Sequence, residues 1–129
     1  MKYEKSCGAV VFDDDKVLVV KHRAGHVDFP KGHVEEAETE EETAIREVKE
    51  ETNIDIVIRG CRNTVSYSPI DGVSKEVVFF AADKVKGEIS PQFEEVSSVW
   101  WVPIKEVKDI LTYDTAKELF QKILTERNK

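Results

Sequence analysis

Apolar residues along this chain fall into short runs whose period changes part-way. Residues 5–12 (KSCGAVVF) and 16–22 (KVLVVKH) are β-rich runs divided by the acidic turn Asp13–Asp15, the pattern of a hairpin or of adjacent strands. Residues 23–33 hold Gly25, Pro30 and Gly32 and predict a loop. In residues 40–52 (EEETAIREVKEET) the alternation stops, and Ala44, Ile45, Val48 and Thr52 recur at helical spacing. Thr39 with Glu42 three positions later is a capping-box pattern, and Glu40, Glu41 and Glu42 suit the positive end of a helix dipole. Further strands are expected at 54–59, 61–67, 75–82 and 96–102, with Pro69, Asp71 and Gly72 marking a turn. Alternation along the last of these places one of Trp100 and Trp101 in the core and the other outward. Pro103 heads a short helix over 104–111. A longer helix over 115–127 follows, with Ala116, Leu119, Phe120, Ile123 and Leu124 on one apolar face. Strands interleaved with helices predict an α/β layer structure, a mixed sheet between helices. No internal repeat or Pro/Gly-rich linker divides the sequence, so one domain over residues 1–129 is expected.

Composition narrows the class. At 129 residues, with 40% apolar and 35% charged side chains, the chain can bury one core and reads as a soluble globular protein. Its longest apolar stretches are too short to span a bilayer. The stretch Ala9–Phe12 runs into three aspartates, unlike a secretory signal, so a cytoplasmic location is expected. A net charge of −7 argues against a broad basic face gripping nucleic-acid backbone, and neither a stable nucleic-acid complex nor a membrane partner is expected. A phosphorylated substrate remains open, because a bound divalent cation can invert the local field. Cys7 and Cys61 form no CxxC pair, which argues against zinc and fits two reduced thiols.

The chemistry sits on the 40–52 helix. On a wheel of about 100° per residue, Ala44, Val48 and Thr52, with Ile45 beside them, make the core stripe. Glu47, Glu50 and Glu51 share a separate arc through i, i+3 and i, i+4 spacings. Three crowded carboxylates repel one another, and oxygen-only ligands favour a hard ion such as Mg²⁺ or Mn²⁺. Taken alone, such an arc is usually a solvated face.

The surrounding pattern changes that balance. Residues 32–54 (GHVEEAETEEETAIREVKEETNI) resemble the Nudix box: Gly, five residues, Glu, seven residues, then Arg-Glu-apolar-x-Glu-Glu-x-Gly-apolar. Gly32, Glu38, Arg46, Glu47, Val48, Glu50, Glu51 and Ile54 fall in place, and Asn53 stands where the family has Gly. Asn is the usual substitute for Gly at a left-handed helix terminus, so Asn53 is expected to cap the helix. The resemblance implies a Nudix-type α/β/α sandwich and Mg²⁺-dependent hydrolysis of a phosphoanhydride. It makes Glu47, Glu50 and Glu51 the metal ligands and water-activating carboxylates. It also implies that Gly32 gives close backbone access to the metal, and that Glu38 and Arg46 form a supporting ion pair.

Outside the box, Phe29-Pro30-Lys31-Gly32-His33-Val34-Glu35 is similar to the Pro-Lys-Gly-His-Val-Glu run of asymmetric diadenosine tetraphosphate hydrolases. Tyr67, Lys75, the strand Val77–Ala82, and Glu94 six residues before Trp100 resemble the same group, so the likeness runs from about residue 7 to 102. It implies cleavage of diadenosine tetraphosphate to ATP and AMP. Lys31 and Lys75 would contact polyphosphate, His33 would assist, Tyr67 would stack on adenine, and Glu94 would add a metal ligand or base from a loop. The plainer reading keeps Lys75 solvated and Tyr67 half-buried in packing. Rival expectations are a Nudix nucleoside triphosphate pyrophosphohydrolase, an RNA 5′-pyrophosphohydrolase, and a non-catalytic nucleotide-binding module.

Overall fold

A computed structural model describes residues 2–68, 70–91 and 96–128. Its strands are β1 (Lys2–Asp13), β2 (Lys16–His22), β3 (Val27–Asp28), β4 (Lys31–His33), β5 (Asp55–Tyr67), β6 (Val73–Lys86) and β7 (Val96–Pro103). Helix α1 (Glu40–Thr52) follows β4. After β7 a 3₁₀ turn (Ile104–Glu106) runs into α2 (Val107–Ile110), and α3 (Asp114–Arg127) follows.

The strands form one mixed sheet in the order β3-β2-β1-β6-β5, with β4 added on β1 and β7 on β2. β1 and β6 pair in parallel from Lys2↔Val73 to Phe12↔Asp83, and the other pairs are antiparallel. The second edge of β1 is divided. β4 takes Ser6–Gly8, while β2 takes only Phe12 and Asp13 before turning away with β7. The sheet therefore opens between β4 and β2, and this opening lets side chains from β3 and β4 reach the α3 face.

The core confirms the layering. Along β1, Val10 and Phe12 join the cluster under α2 and α3, while Ala9 and Val11 join the one under α1. β2 alternates likewise (Val17, Val19 against Leu18, Val20), so both central strands are buried on both faces. Phe29, Leu119, Phe120 and Ile123 fill the α3 side, and Ala44, Val48 and Ile54 the α1 side. The expected α/β/α sandwich is thus the observed fold. No helix among the described residues is long and apolar enough to cross a membrane.

Several sequence expectations need correction. Residues 54–59 and 61–67 form the single strand β5, interrupted by a register shift at Gly60 and Cys61, whose φ values are 100° and 55°. Left-handed backbone there absorbs extra residues as a bulge, which a sequence pattern reads as a break. The loop 23–33 contains β3 and β4, too short to show periodicity and created by pairing with β2 and β1. The helix expected over 104–111 is a 3₁₀ turn followed by one α-turn. Ile45 is exposed at 39%, whereas Thr43, Glu47 and Glu51 are buried, so α1 is rotated to bring its carboxylate edge onto β4. Trp100 and Trp101 are both half-buried, the first against the α3-side core and the second against the α1-side core. Cys7 and Cys61 are free thiols, the first buried.

Candidate active site

Helix α1 is held at both ends by the devices its sequence announced. Thr39 Oγ1 accepts from the Glu42 N–H at 3.1 Å, and Glu42 accepts in return from the Thr39 N–H at 2.9 Å. Asn53 adopts the left-handed conformation (φ 69°) and its N–H reaches the Lys49 carbonyl at 2.8 Å. Asn53 does more than end the helix, because its Nδ2 donates to the Glu88 carbonyl at 3.0 Å. Its side chain therefore also ties down the segment after β6.

Between these caps, α1 packs on β1 and β4 with Glu47 9% and Glu51 1% exposed. Two glycines make that approach possible. A Cβ on Gly32 would lie 2.0 Å from the Glu47 carboxylate, so this backbone position works only without a side chain. A Cβ on Gly8, opposite Lys31 in the β1–β4 ladder, would lie 2.1 Å from the Pro30 carbonyl oxygen. The Lys31 N–H donates to Glu51 Oε1 at 2.9 Å and fixes that buried carboxylate against β4.

Arg46 organises the rest. Its Nε and Nη2 hold both oxygens of Glu38 at 2.6 and 2.9 Å, and Nη2 also reaches the His33 carbonyl at 3.0 Å. Its Nη1 donates to Glu47 at 2.7 Å and to Glu50 at 3.2 Å. Glu38 also accepts from Thr43 Oγ1 and from the Glu35 N–H. The Arg46 guanidinium, with these donors behind it, lowers the Glu38 carboxyl to about 2. Among the described residues no three carboxyl, imidazole or thiol groups converge into a ready-made cation cage. The donor set nonetheless fits a hard divalent ion in chemistry: carboxylates only, on one helix edge, against a glycine whose missing side chain leaves room for one of them.

On the α3 side of the sheet opening lies a cleft of about 500 Å³. Lys31, Tyr67, Lys75, Tyr113, His26 and Asp28 line it, with Phe79 and Val77 beneath. The expected substrate residues Lys31, Tyr67 and Lys75 thus share one cleft, and Lys31 joins it to the carboxylate helix through its own backbone. His33 is not among the lining residues. Its imidazole is exposed and stands 4.0 Å from Glu4, so its part in the site is its backbone carbonyl under Arg46. Glu94 lies outside the described residues.

Five nearby residues went unassigned in the sequence. Tyr113 lines the cleft, 5.8 Å from the His26 ring. His26 stacks on His22 at 4.2 Å, and burial lowers both imidazoles, His22 to about 4. Asp28 is 8% exposed, and burial raises its carboxyl against the opposing charge of Lys31. Gly8 carried one usable signal, a glycine inside a strand-like run.

The NUDIX domain model matches residues 2–123. The chain belongs to the Nudix family. Among curated relatives, this Nudix chain is 36% identical over 131 residues to the putative mutator protein MutT4 of Mycobacterium tuberculosis, covering 91% of this chain and 53% of that one. It is 29% identical over 126 residues to the NAD-capped RNA hydrolase NudC of Vibrio atlanticus, covering 92% and 45%. The chain thus spans about half the length of these two relatives. The solved structure of a C. elegans Ap4A hydrolase binary complex superposes with a TM-score of 0.84 at 26% identity, covering 97% of this Nudix chain and 98% of that one.

Proposed function

We propose that this Nudix chain hydrolyses diadenosine tetraphosphate asymmetrically, to ATP and AMP, with Mg²⁺. The observation that carries the reading is Lys31, whose N–H holds Glu51 while its side chain lines the aromatic, lysine-bearing cleft. Chemistry and recognition then meet on one three-residue strand. Similarity to the C. elegans Ap4A hydrolase over nearly the whole of both chains supports the substrate class.

Glu47, Glu50 and Glu51, with the Gly32 carbonyl, would hold the cation, and by the resemblance Glu94 would add a further ligand. The bound ion supplies charge neutralisation on the phosphate oxygens. Arg46 and Glu38 keep the carboxylate edge in place, and the α1 carboxylates orient a water and accept its proton. Water oxygen bonds to phosphorus as the P–O bond to the leaving nucleotide breaks, with no covalent enzyme intermediate. Lys31 and Lys75 draw the polyphosphate to the cleft mouth, and Tyr67 with Tyr113 offers faces for adenine.

A second reading is favoured by the MutT-like and NudC-like relatives: pyrophosphohydrolysis of a nucleoside triphosphate or of an RNA 5′ end. The net charge of −7 weighs against a long RNA partner. Chromatography of products separates the readings. ATP and AMP from diadenosine tetraphosphate, lost in Glu50→Gln and on chelation, support the proposal. An intact dinucleotide with pyrophosphate released from triphosphates would move the chain to the second reading.

A further inference from the structure

Asp28 is a carboxyl in the wall of a nucleotide-sized cleft, more than nine-tenths buried, and no step assigned above uses it. Its Oδ1 accepts from the Phe29 N–H at 2.7 Å, and among the described residues that is the carboxyl's single hydrogen-bond donor. No cation approaches within salt-bridge distance among the described residues, although Lys31 and Lys75 line the same cleft. A carboxyl oxygen shut off from solvent without a donor is costly, and an aromatic ligand entering the cleft would shut this one off. The incoming group must therefore bring a hydrogen-bond donor of its own. Phosphate cannot, since its oxygens would face a like charge. A nucleobase can.

We propose that Asp28 is the base-reading residue of the cleft: its second carboxyl oxygen accepts a hydrogen bond from the exocyclic amine of adenine held beside Tyr67 and Tyr113. The inference rests on the reading that the cleft takes a nucleoside. The geometry divides the labour. Tyr67, Tyr113 and Phe79 give faces that any purine can use, whereas Asp28 meets only an edge that carries N–H at that place. Hypoxanthine, with a carbonyl there, sets two oxygens against each other, and unsubstituted purine leaves the carboxyl without a donor. Polar matching of this kind discriminates more sharply than apolar fit, because the mismatched ligand strands a buried polar group.

The test is equilibrium binding of three 5′-monophosphates, those of adenosine, inosine and purine riboside, measured calorimetrically on the full chain. Wild type should bind AMP about 10-fold more tightly than the other two. Asp28→Ala removes the acceptor. Asp28→Asn keeps the shape and an oxygen for the Phe29 N–H while turning an amino group to the cleft. Both variants should bring AMP and the purine riboside nucleotide within about twofold of each other, chiefly by weakening AMP. An AMP preference that survives both substitutions overturns the proposal. So does equal tightening of all three nucleotides, which would make Asp28 a counter-charge to the lysines. Tyr67→Ala and Tyr113→Ala separate the underlying reading. If neither weakens AMP, the nucleoside is not in this cleft and both ideas fall. If they weaken it and the Asp28 variants leave the ratio untouched, only the base-reading role falls.

Discussion

Gly32→Ala tests the coupling between strand β4 and the carboxylate helix at one atom. The added methyl would meet the Glu47 carboxylate at 2.0 Å, whereas ordinary contact begins at 3.4 Å, so the carboxylate must retreat by about 1.4 Å. The obstructed group is the end of a side chain rather than backbone, so folding should survive. The overpacking cost belongs at the low end of the usual range, about 1 kcal/mol. Function has no such slack. A carboxylate displaced by an ångström or more loses its 2.7 Å bond to Arg46 and its place beside Glu51. Misplacement of that size typically costs on the order of 10²-fold in rate. The assay is steady-state hydrolysis of diadenosine tetraphosphate beside a thermal melt of the same preparation. The expected pair is a melting temperature lowered by a few degrees and kcat reduced about 100-fold. A kcat within threefold of wild type would refute the reasoning, because Glu47 would then work from a displaced position. A collapse of the melt would refute it differently, showing that β4 cannot yield at all.

Other outcomes follow from the same contacts. Asn53→Gly keeps a residue suited to φ 69° but deletes the bond to the Glu88 carbonyl; it should cost about 1 kcal/mol in urea unfolding and leave turnover within twofold. Glu38 beside Arg46, and Glu40 beside Arg62 and Lys5, both have carboxyls depressed to about 2 from 4.5. Their unfolded forms bind protons first as pH falls, so their stabilisation is complete above pH 4.5 and is lost as pH drops towards 2. Melts from pH 6 to 2 should show that loss, and Arg46→Gln should flatten the Glu38 share of it. Burial pushes the Cys7 thiol up to about 11, so only Cys61 should react with a thiol reagent at pH 8 in the native protein. Rapid labelling of Cys7 would show that the β1–β4 region opens.

The helix and its chemistry were legible because they are local. Thr39, Glu42 and Asn53 act within one turn of α1, and the carboxylate arc follows from helical spacing alone. The β-rich runs that form β1 and β2 were legible for the same reason. What escaped depends on groups distant in sequence. Pairing with β1 and β2 makes strands of Lys31–His33 and Val27–Asp28, and no periodicity can show in two or three residues. Ile45 looked like core because the wheel places it beside Ala44, yet contact with β4 turned the glutamates inward instead. His33 is expected from the resemblance to assist at the polyphosphate; that its carbonyl accepts from Arg46 shows only once β4 lies against α1. Asp28 gave no signal, since its meaning comes from Tyr67, Lys75 and Tyr113, each distant from it in sequence.

The parallel pairing of β1 with β6 also governs how the protein comes to exist. Every partner in that ladder is 71 residues away along the chain, as Lys2 is from Val73. Closing so long a span costs entropy before any contact repays it, and such topologies fold slowly. The α1 helix and the β1–β2 turn can form early from neighbours in sequence. The cleft cannot, because Lys31 and Tyr67 come to line one cleft only after β6 has slotted between β1 and β5. A partly folded chain therefore carries the carboxylates without the pocket. In refolding, nucleotide binding should return with the slowest phase, well after helical signal is complete.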